Sequence, residues 1–333
     1  MVTSLVTGGA GFIGIHVTNE LLKIPQQVIV LDDLSGGFKE NVNPGAIFIH
    51  GSINDTVLIE NIFKEYKVDY VFHLAAYAAE GLSHFIRRFN YQNNLIGSIN
   101  LINESIKSKV KCFVFTSSIA VYGDGHVPFT EDTTPVPEDP YGIAKYAVEM
   151  DLRTAHKMFG LNYIIFRPHN VYGEFQNIGD RYRNVIGIFI NQLMQGRQLT
   201  IFGDGTQTRA FTYIKDVAPL IAHSIHNLPA YNQVFNIGAD QNCTVKGVAE
   251  TIMEVMKVEG EIKYLPTRNE AKHADSDHSK AKKIFNINDR DFTSLKEGVA
   301  KMVAWAKIAG AKGNSKFKNI EIEEKLPAIW LEN

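Results

Sequence analysis

Short apolar runs alternate with amphipathic stretches along the first half of this chain, and that rhythm restricts the folds open to it. The runs are Ser4–Thr7, Val28–Leu31, Ala46–His50, Tyr70–Ala75, Cys112–Ser117 and Tyr163–Arg167. Between most of them lie Phe12–Leu22, Val57–Tyr66, Tyr91–Ser105 and Tyr141–Phe159, which carry apolar residues at helical spacing. The runs are largely continuous in apolar residues rather than alternately apolar and polar, so they predict strands covered on both faces, hence a parallel sheet between helical layers. Alternating strand and helix segments point to an α/β, doubly wound fold.

After Val171 the rhythm changes. A polar stretch runs from Glu174 to Asn184, followed by short strand-like pieces at Leu199–Phe202 and Ala210–Ile214. Val234–Ile237 reads as a strand returning to the main sheet, and the remainder as helices plus one strand at Glu261–Leu265. The expected organisation is a first domain over 1–170 plus about 215–243, and a smaller C-terminal α/β lobe over 171–214 plus about 244–333. A length of 333 residues is ample for a full core and a second lobe.

A net charge of −2 gives no electrostatic support to a nucleic-acid role. The late lysines (Lys301, Lys307, Lys312, Lys316, Lys318) are followed by Glu321, Glu323 and Glu324, and read as a solvated face and tail. The only cysteines, Cys112 and Cys243, form neither a disulfide framework nor a metal spacing, which fits a reducing, cytoplasmic setting. The chain opens directly on a strand, and no apolar stretch reaches membrane-spanning length.

Thr7-Gly8-Gly9-Ala10-Gly11-Phe12-Ile13-Gly14 links the first strand to the first helix. Gly8 permits a tight turn, Gly11 lets backbone approach a pyrophosphate, and Gly14 lets helix and strand pack closely. The spacing is Gly-x-x-Gly-x-x-Gly, and an unliganded glycine turn is the alternative for the motif in isolation. The next strand ends at Leu31-Asp32-Asp33, the distance at which a carboxylate holds an adenosine ribose. Of the two, Asp32 ranks above Asp33, which could be a turn cap. A carboxylate there repels a 2′-phosphate, and only Lys39 follows closely, so NAD is favoured over NADP.

Downstream, Pro140-Tyr141-Gly142-Ile143-Ala144-Lys145 sets a phenol and an ammonium one helical turn apart. A free tyrosine titrates near ~10, too high for a base at neutral pH. A neighbouring ammonium and a cationic nicotinamide are expected to lower it, so that Tyr141 could exchange a hydroxyl proton in step with hydride transfer. Thr116-Ser117-Ser118 ends the fifth strand at the same sheet edge, where one hydroxyl is expected to serve chemistry while the others cap.

These motifs resemble the extended short-chain dehydrogenase/reductase family, particularly its nucleotide-sugar epimerases and dehydratases. The resemblance runs on through His73-Leu74-Ala75-Ala76, Asn93-Asn94, Ser117-Ser118 to Val121-Tyr122-Gly123, Arg167 to Gly173, Phe202-Gly203-Asp204-Gly205 and Arg209 to Ile214. It implies a Rossmann-type fold with NAD held by Gly8, Gly11, Phe12, Ile13, Gly14, Asp32, Asp33, Ser52, Ile53, Leu74, Ala75, Ala76, Asn94, Thr116, Tyr141, Lys145 and Pro168. It implies Ser118, Tyr141 and Lys145 as the catalytic set. Tyr77, Ser118, Asn170, Asn184, Arg209 and Arg268 would contact a nucleotide sugar, the arginines on phosphate or ribose.

Within the family, dehydratases place an Asp-Glu pair after the serine. Here Ile119-Ala120 stands there and cannot move protons. The pattern is similar to UDP-glucose 4-epimerases, which oxidise C4, turn the 4-keto sugar over and reduce it on the opposite face. A GDP-sugar 3,5-epimerase, a UDP-sugar decarboxylase or a 4-dehydrogenase would share the first oxidation, and a non-catalytic dinucleotide-binding protein would share the fold. Three positions depart from the family. Ser52 replaces an acidic residue, Glu80 lies in the sugar-facing loop and would discourage a uronic acid, and His169 stands where phenylalanine is common, with a structural role slightly favoured. A homodimer joined through Tyr91–Ser105 and Tyr141–Phe159 is also implied.

Overall fold

The computed structural model of the chain describes residues 1–183, 185–267, 273–313 and 316–331. Seven strands form one sheet: β1 (Thr3–Thr7), β2 (Gln27–Asp32), β3 (Ile47–His50), β4 (Tyr70–His73), β5 (Cys112–Thr116), β6 (Tyr163–Pro168) and β7 (Gln233–Ile237). All pairings are parallel, in the order β7-β6-β5-β4-β1-β2-β3. The strand order reverses between β1 and β4, where two crossovers depart to opposite sides and leave a crevice at the carboxyl ends. This is the doubly wound Rossmann-type α/β fold.

Neighbouring residues on one strand enter different cores. Leu5, Ile29, Val71, Phe113 and Ile165 pack on one face with Ile59, Leu101, Val148 and Leu152, whereas Val6, Phe72, Val114 and Phe166 pack on the other with Val17, Leu21 and Ile221. Burial on both faces is what the unbroken apolar runs require. The first face is covered by α2 (Thr56–Tyr66), α3 (Gly97–Lys107) and α4 (Pro140–Phe159), and the second by α1 (Phe12–Leu21) with the helix Ile214–His223.

Local chemistry fixes the start and end of the helix that carries Tyr141. Asp139 caps α4 by accepting Gly142 N–H at 2.9 Å, Pro140 occupies the first turn, and Gly160 ends the helix in the left-handed region.

The structure departs from the sequence expectation in two stretches. The helix expected over Tyr91–Ser105 is instead a short helix Arg87–Tyr91, one π turn Gln92–Ile96, and then α3. The strand expected at Ala210–Ile214 divides into Thr208–Ala210 and Thr212–Tyr213, with Ile214 opening a helix. Apolar spacing alone registers neither a π turn nor a helix start.

Small sheets build the other wall of the crevice. Leu199–Phe202 pairs with Ile262–Leu265, Val171–Tyr172 with Thr212–Tyr213, and Thr208–Ala210 with Asn242–Thr244 and His273–Ala274. No helix among the described residues is long and apolar enough to cross a membrane.

Candidate active site

A cavity of about 580 Å3 opens along the carboxyl ends of the strands. Its floor is the glycine turn. Gly8 has φ +72°, and a Cβ there would lie 2.6 Å from Ala75 N, while one on Gly14 would lie 2.1 Å from Gly8 O. Only glycine allows this close a turn against the next loop. Gly11, Phe12, Ile13 and Gly14 line the cavity, and no side chain caps α1, so its first-turn N–H groups face the space. That is a cradle for a pyrophosphate.

Asp32 and Asp33 both line the same end. Asp32 is buried; one of its carboxylate oxygens accepts Ala10 N–H at 3.0 Å and the other Leu34 N–H at 2.8 Å. Burial raises its pKa, and those two bonds oppose the rise. Asp32 therefore ties the glycine turn to β2 while keeping lone pairs for a ribose hydroxyl. Asp33 is exposed and accepts Ser35 N–H at 2.9 Å.

Ile53, Leu74, Ala75, Ala76, Tyr77, Thr116 and Pro168 also line the cavity. Two expected contacts do not reach its wall. Ser52 turns into its own loop, where its hydroxyl accepts Asn54 N–H at 3.2 Å. Asn94 is fully buried behind the Tyr77 loop.

At the centre of the cavity lie Ser118, Tyr141 and Lys145, all buried and all lining it. Ser118 lies next to Tyr141, whose proton affinity it lowers, and its hydroxyl accepts Ala120 N–H at 3.1 Å. Lys145 Nζ donates to Thr116 O at 2.8 Å and sits 5.8 Å from the centre of the Tyr141 ring. The three hydroxyls divide differently from the expected one for chemistry and two caps: Ser117 donates to Glu149 at 2.6 Å, Thr116 Oγ1 is buried without a partner, and Ser118, beside the phenol, is itself the cap.

The proton affinities differ from the expectation. Burial pushes the Tyr141 phenol up, Glu80 adds to the rise, and the neighbouring Ser118 opposes it. Burial instead pushes Lys145 down to about 7, with Glu149 opposing. Loss of solvation of the charged form is the largest cause of both shifts.

The second wall is basic. Arg181, Arg183, Arg197 and Arg209 all line the cavity. Arg183 donates Nε–H to Asp180 at 2.7 Å and lies 4.7 Å over the Tyr77 ring. Asn170, at φ +42°, brings a buried amide nitrogen without a partner to this wall. Arg209 donates to Thr208 O at 2.8 Å. Asn184 and Arg268 lie outside the described residues. His169 lines the cavity and is 2.8 Å from His278 Nε2, whose Nδ1 is 2.5 Å from Asp240.

Other site residues come from places that the motifs did not mark. Glu149, one turn beyond Lys145, accepts two bonds from buried Arg167 at 2.9 and 2.5 Å. Its i, i+4 spacing from Lys145 was a usable signal, but an acid on a long helix is usually solvated. Arg183 had no signal beyond its charge in a polar stretch.

The glycine cradle, the uncapped α1 terminus and the buried unpartnered Thr116 and Asn170 atoms suit a dinucleotide beside a second polar ligand. The sequence profile of the NAD dependent epimerase/dehydratase family matches residues 4–238. A UDP-glucose 4-epimerase of Lactobacillus helveticus is 33% identical over 270 residues, covering 77% of this chain and 82% of that protein. The crystal structure of Thermotoga maritima UDP-glucose 4-epimerase with UDP-glucose superposes with a TM-score of 0.86 at 36% identity, over 92% of this chain and 99% of that one. UDP-glucuronic acid 4-epimerase from Bacillus cereus, solved with UDP-glucuronic acid and NAD, gives 0.85 at 28% identity, over 93% and 100%. With its matching profile, fold and cofactor cradle, the chain belongs to the NAD dependent epimerase/dehydratase family.

Proposed function

We propose that this enzyme inverts C4 of a UDP-hexose through a transient 4-keto sugar. The observation that carries the reading is the buried Ser118–Tyr141–Lys145 group, set between a dinucleotide cradle on one side and four arginines on the other. Gly8, Gly11 and Gly14 with the α1 terminus hold the cofactor pyrophosphate, and Asp32 with Asp33 its adenosine ribose. Arg209 and its neighbours take the substrate diphosphate, to which a guanidinium offers two parallel donors. The lobe formed by 171–214 and 244–333 is the nucleotide-sugar side.

When bound, NAD supplies a hydride acceptor and donor and, through its oxidised ring, a positive charge that favours the Tyr141 phenolate. Tyr141 removes the O4 proton and later returns it. Ser118 orients the phenol and the sugar oxygen. Lys145, anchored on Thr116 O, sets the charge beneath the phenol. Ile119 and Ala120 offer no acid or base for loss of water, and Glu80 on the sugar side repels a carboxylated sugar. Both considerations favour a neutral hexose.

Homodimer formation is proposed through Ile96, Ile143 and Met150, exposed apolar residues near or on the two helices expected to pair. Met150→Glu should then give a monomer by light scattering. The two free cysteines are consistent with a cytoplasmic enzyme.

The test is product analysis by NMR with UDP-glucose, UDP-GlcNAc, UDP-glucuronate and GDP-mannose. Interconversion of UDP-glucose and UDP-galactose is expected. A product lacking carbon dioxide or water, or turnover of GDP-mannose alone, would replace this reading.

A further inference from the structure

The C-terminal segment crosses from one wall of the cavity to the other. Beyond the helix Leu295–Ala309 it is fastened to the second wall, where Lys312 O accepts Asn191 Nδ2 at 2.9 Å and Gln195 Nε2 at 2.7 Å. Phe317 N–H donates to the Tyr182 hydroxyl at 3.1 Å, while the Phe317 ring packs 5.3 Å from Tyr77 and 4.9 Å from Phe89. Glu321 then caps the helix Arg87–Tyr91, accepting Arg88 N–H at 2.9 Å and Phe89 N–H at 3.0 Å. The path ends in the short helix Ala328–Leu331. There Ile329 O accepts Arg181 Nη1 at 3.3 Å, and the Trp330 ring stands 5.2 Å edge-on to Tyr182.

Ile329 and Trp330 both line the cavity beside Tyr77, Glu80 and Gly81. A Cβ on Gly81 would lie 3.3 Å from the Trp330 ring, so the indole is seated directly on the loop expected to face the sugar. Trp330 is 6% exposed and packs with Leu82, Ile86 and Leu326, so the strap brings one edge of the indole to a cavity lined by both apolar and polar groups.

We propose that Trp330 is a substrate-contacting residue that sets which hexoses fit, by setting its exposed indole edge against the apolar C–H groups of a neutral pyranose. This rests on the nucleotide-sugar reading above. Held by Phe85 and Tyr182, the indole presents a rigid apolar edge with little side-chain entropy to lose, and so suits a ring that must turn over between two hydride transfers. Glu80 beside it adds a charge that an anionic substituent would meet unfavourably.

The chain has two tryptophans, so Trp305→Phe leaves Trp330 as the only indole fluorophore. Titration of that variant with UDP-glucose should change its emission, whereas UDP should not. Trp330→Ala should raise KM for UDP-glucose about tenfold and alter the UDP-glucose to UDP-GlcNAc preference, with Kd for UDP unchanged. Trp330→Phe should restore most of the loss. The unchanged UDP affinity shows that the variants are folded. Equal emission changes with UDP and UDP-glucose, or an unaltered KM in Trp330→Ala, would overturn the proposal while leaving the reaction intact. A wild-type enzyme inactive on every UDP-sugar would remove the nucleotide-sugar reading, and this proposal with it.

Discussion

Asn94 grips Tyr77 by both backbone groups: its Oδ1 accepts Tyr77 N–H at 2.8 Å and its Nδ2 donates to Tyr77 O at 3.1 Å. The same Nδ2 reaches Asn90 Oδ1 at 2.7 Å, and Asn90 donates to Pro140 O at 2.7 Å, at the start of the helix that carries Tyr141. Asn94 sits in the π turn, and the extra residue there rotates it toward the loop. A chain of amides thus couples the sugar-facing loop to the catalytic helix.

Asn94→Leu keeps the volume and leaves the two Tyr77 groups unmatched. A loss of about 2 kcal/mol or more is expected, because each buried group stranded in this way costs about 1–3 kcal/mol. Denaturant midpoints measure it, and kcat/KM should fall with them. A stability within 0.5 kcal/mol of wild type, roughly the spread of neutral surface changes, would deny Asn94 that role.

Tyr141→Phe removes the proton-carrying oxygen without opening a cavity. Epimerisation should drop roughly a hundred- to ten-thousand-fold, the usual worth of a positioned acid–base group. NAD and UDP affinities should stay as they are. Turnover at the wild-type rate would reject Tyr141 as the base.

Glu149 and Arg167 form a fully buried ion pair, with Tyr122 accepting from Arg167 at 2.7 Å and Ser117 donating to Glu149. Removing one charge leaves the other stranded, so Glu149→Leu should cost about 3–5 kcal/mol. The double variant Glu149→Leu with Arg167→Met should recover part of that loss. Additive destabilisation in thermal unfolding would contradict the pairing argument.

Burial, and then the neighbouring His278, hold the His169 imidazole down at about 3, against an ordinary 6.5. Between these values the unfolded chain binds a proton that the folded chain refuses. Stability therefore rises with pH across that window and is lost as pH falls from 6.5 toward 3. Asp240, bonded to His278 and Lys282 and held down at about 2, adds a loss of the same sign at the acid end. His169→Phe should shrink the difference in Tm between pH 4.5 and pH 7. An undiminished difference would place the acid sensitivity elsewhere.

The layers of the fold were legible because strands buried on both faces must be largely apolar, and the centres of β1, β2, β5 and β6 (Leu5-Val6, Val28–Leu31, Cys112–Phe115, Tyr163–Phe166) meet that demand directly. The glycine turn and the Tyr141–Lys145 spacing were legible for a similar reason, since each is a contiguous stretch whose chemistry needs those residues at that separation. Ser52 and Asn94 could not be placed from sequence. Whether a polar side chain faces a cavity or grips a neighbouring loop depends on a turn geometry that no local pattern records. The phenol's proton affinity was likewise out of reach, since it turns on the depth of burial.

By itself, then, the sequence determined the periodic elements, the cradle and the one-turn pairing of phenol and ammonium, because those depend on near neighbours along the chain. Only the tertiary structure decided that Arg183, Glu149 and Trp330 join the site. They come from a loop, a helix face and the C-terminal strap, far apart in sequence, and only packing against the sheet and its loops brings Arg183 and Trp330 to the cavity and sets Glu149 behind it on Ser117.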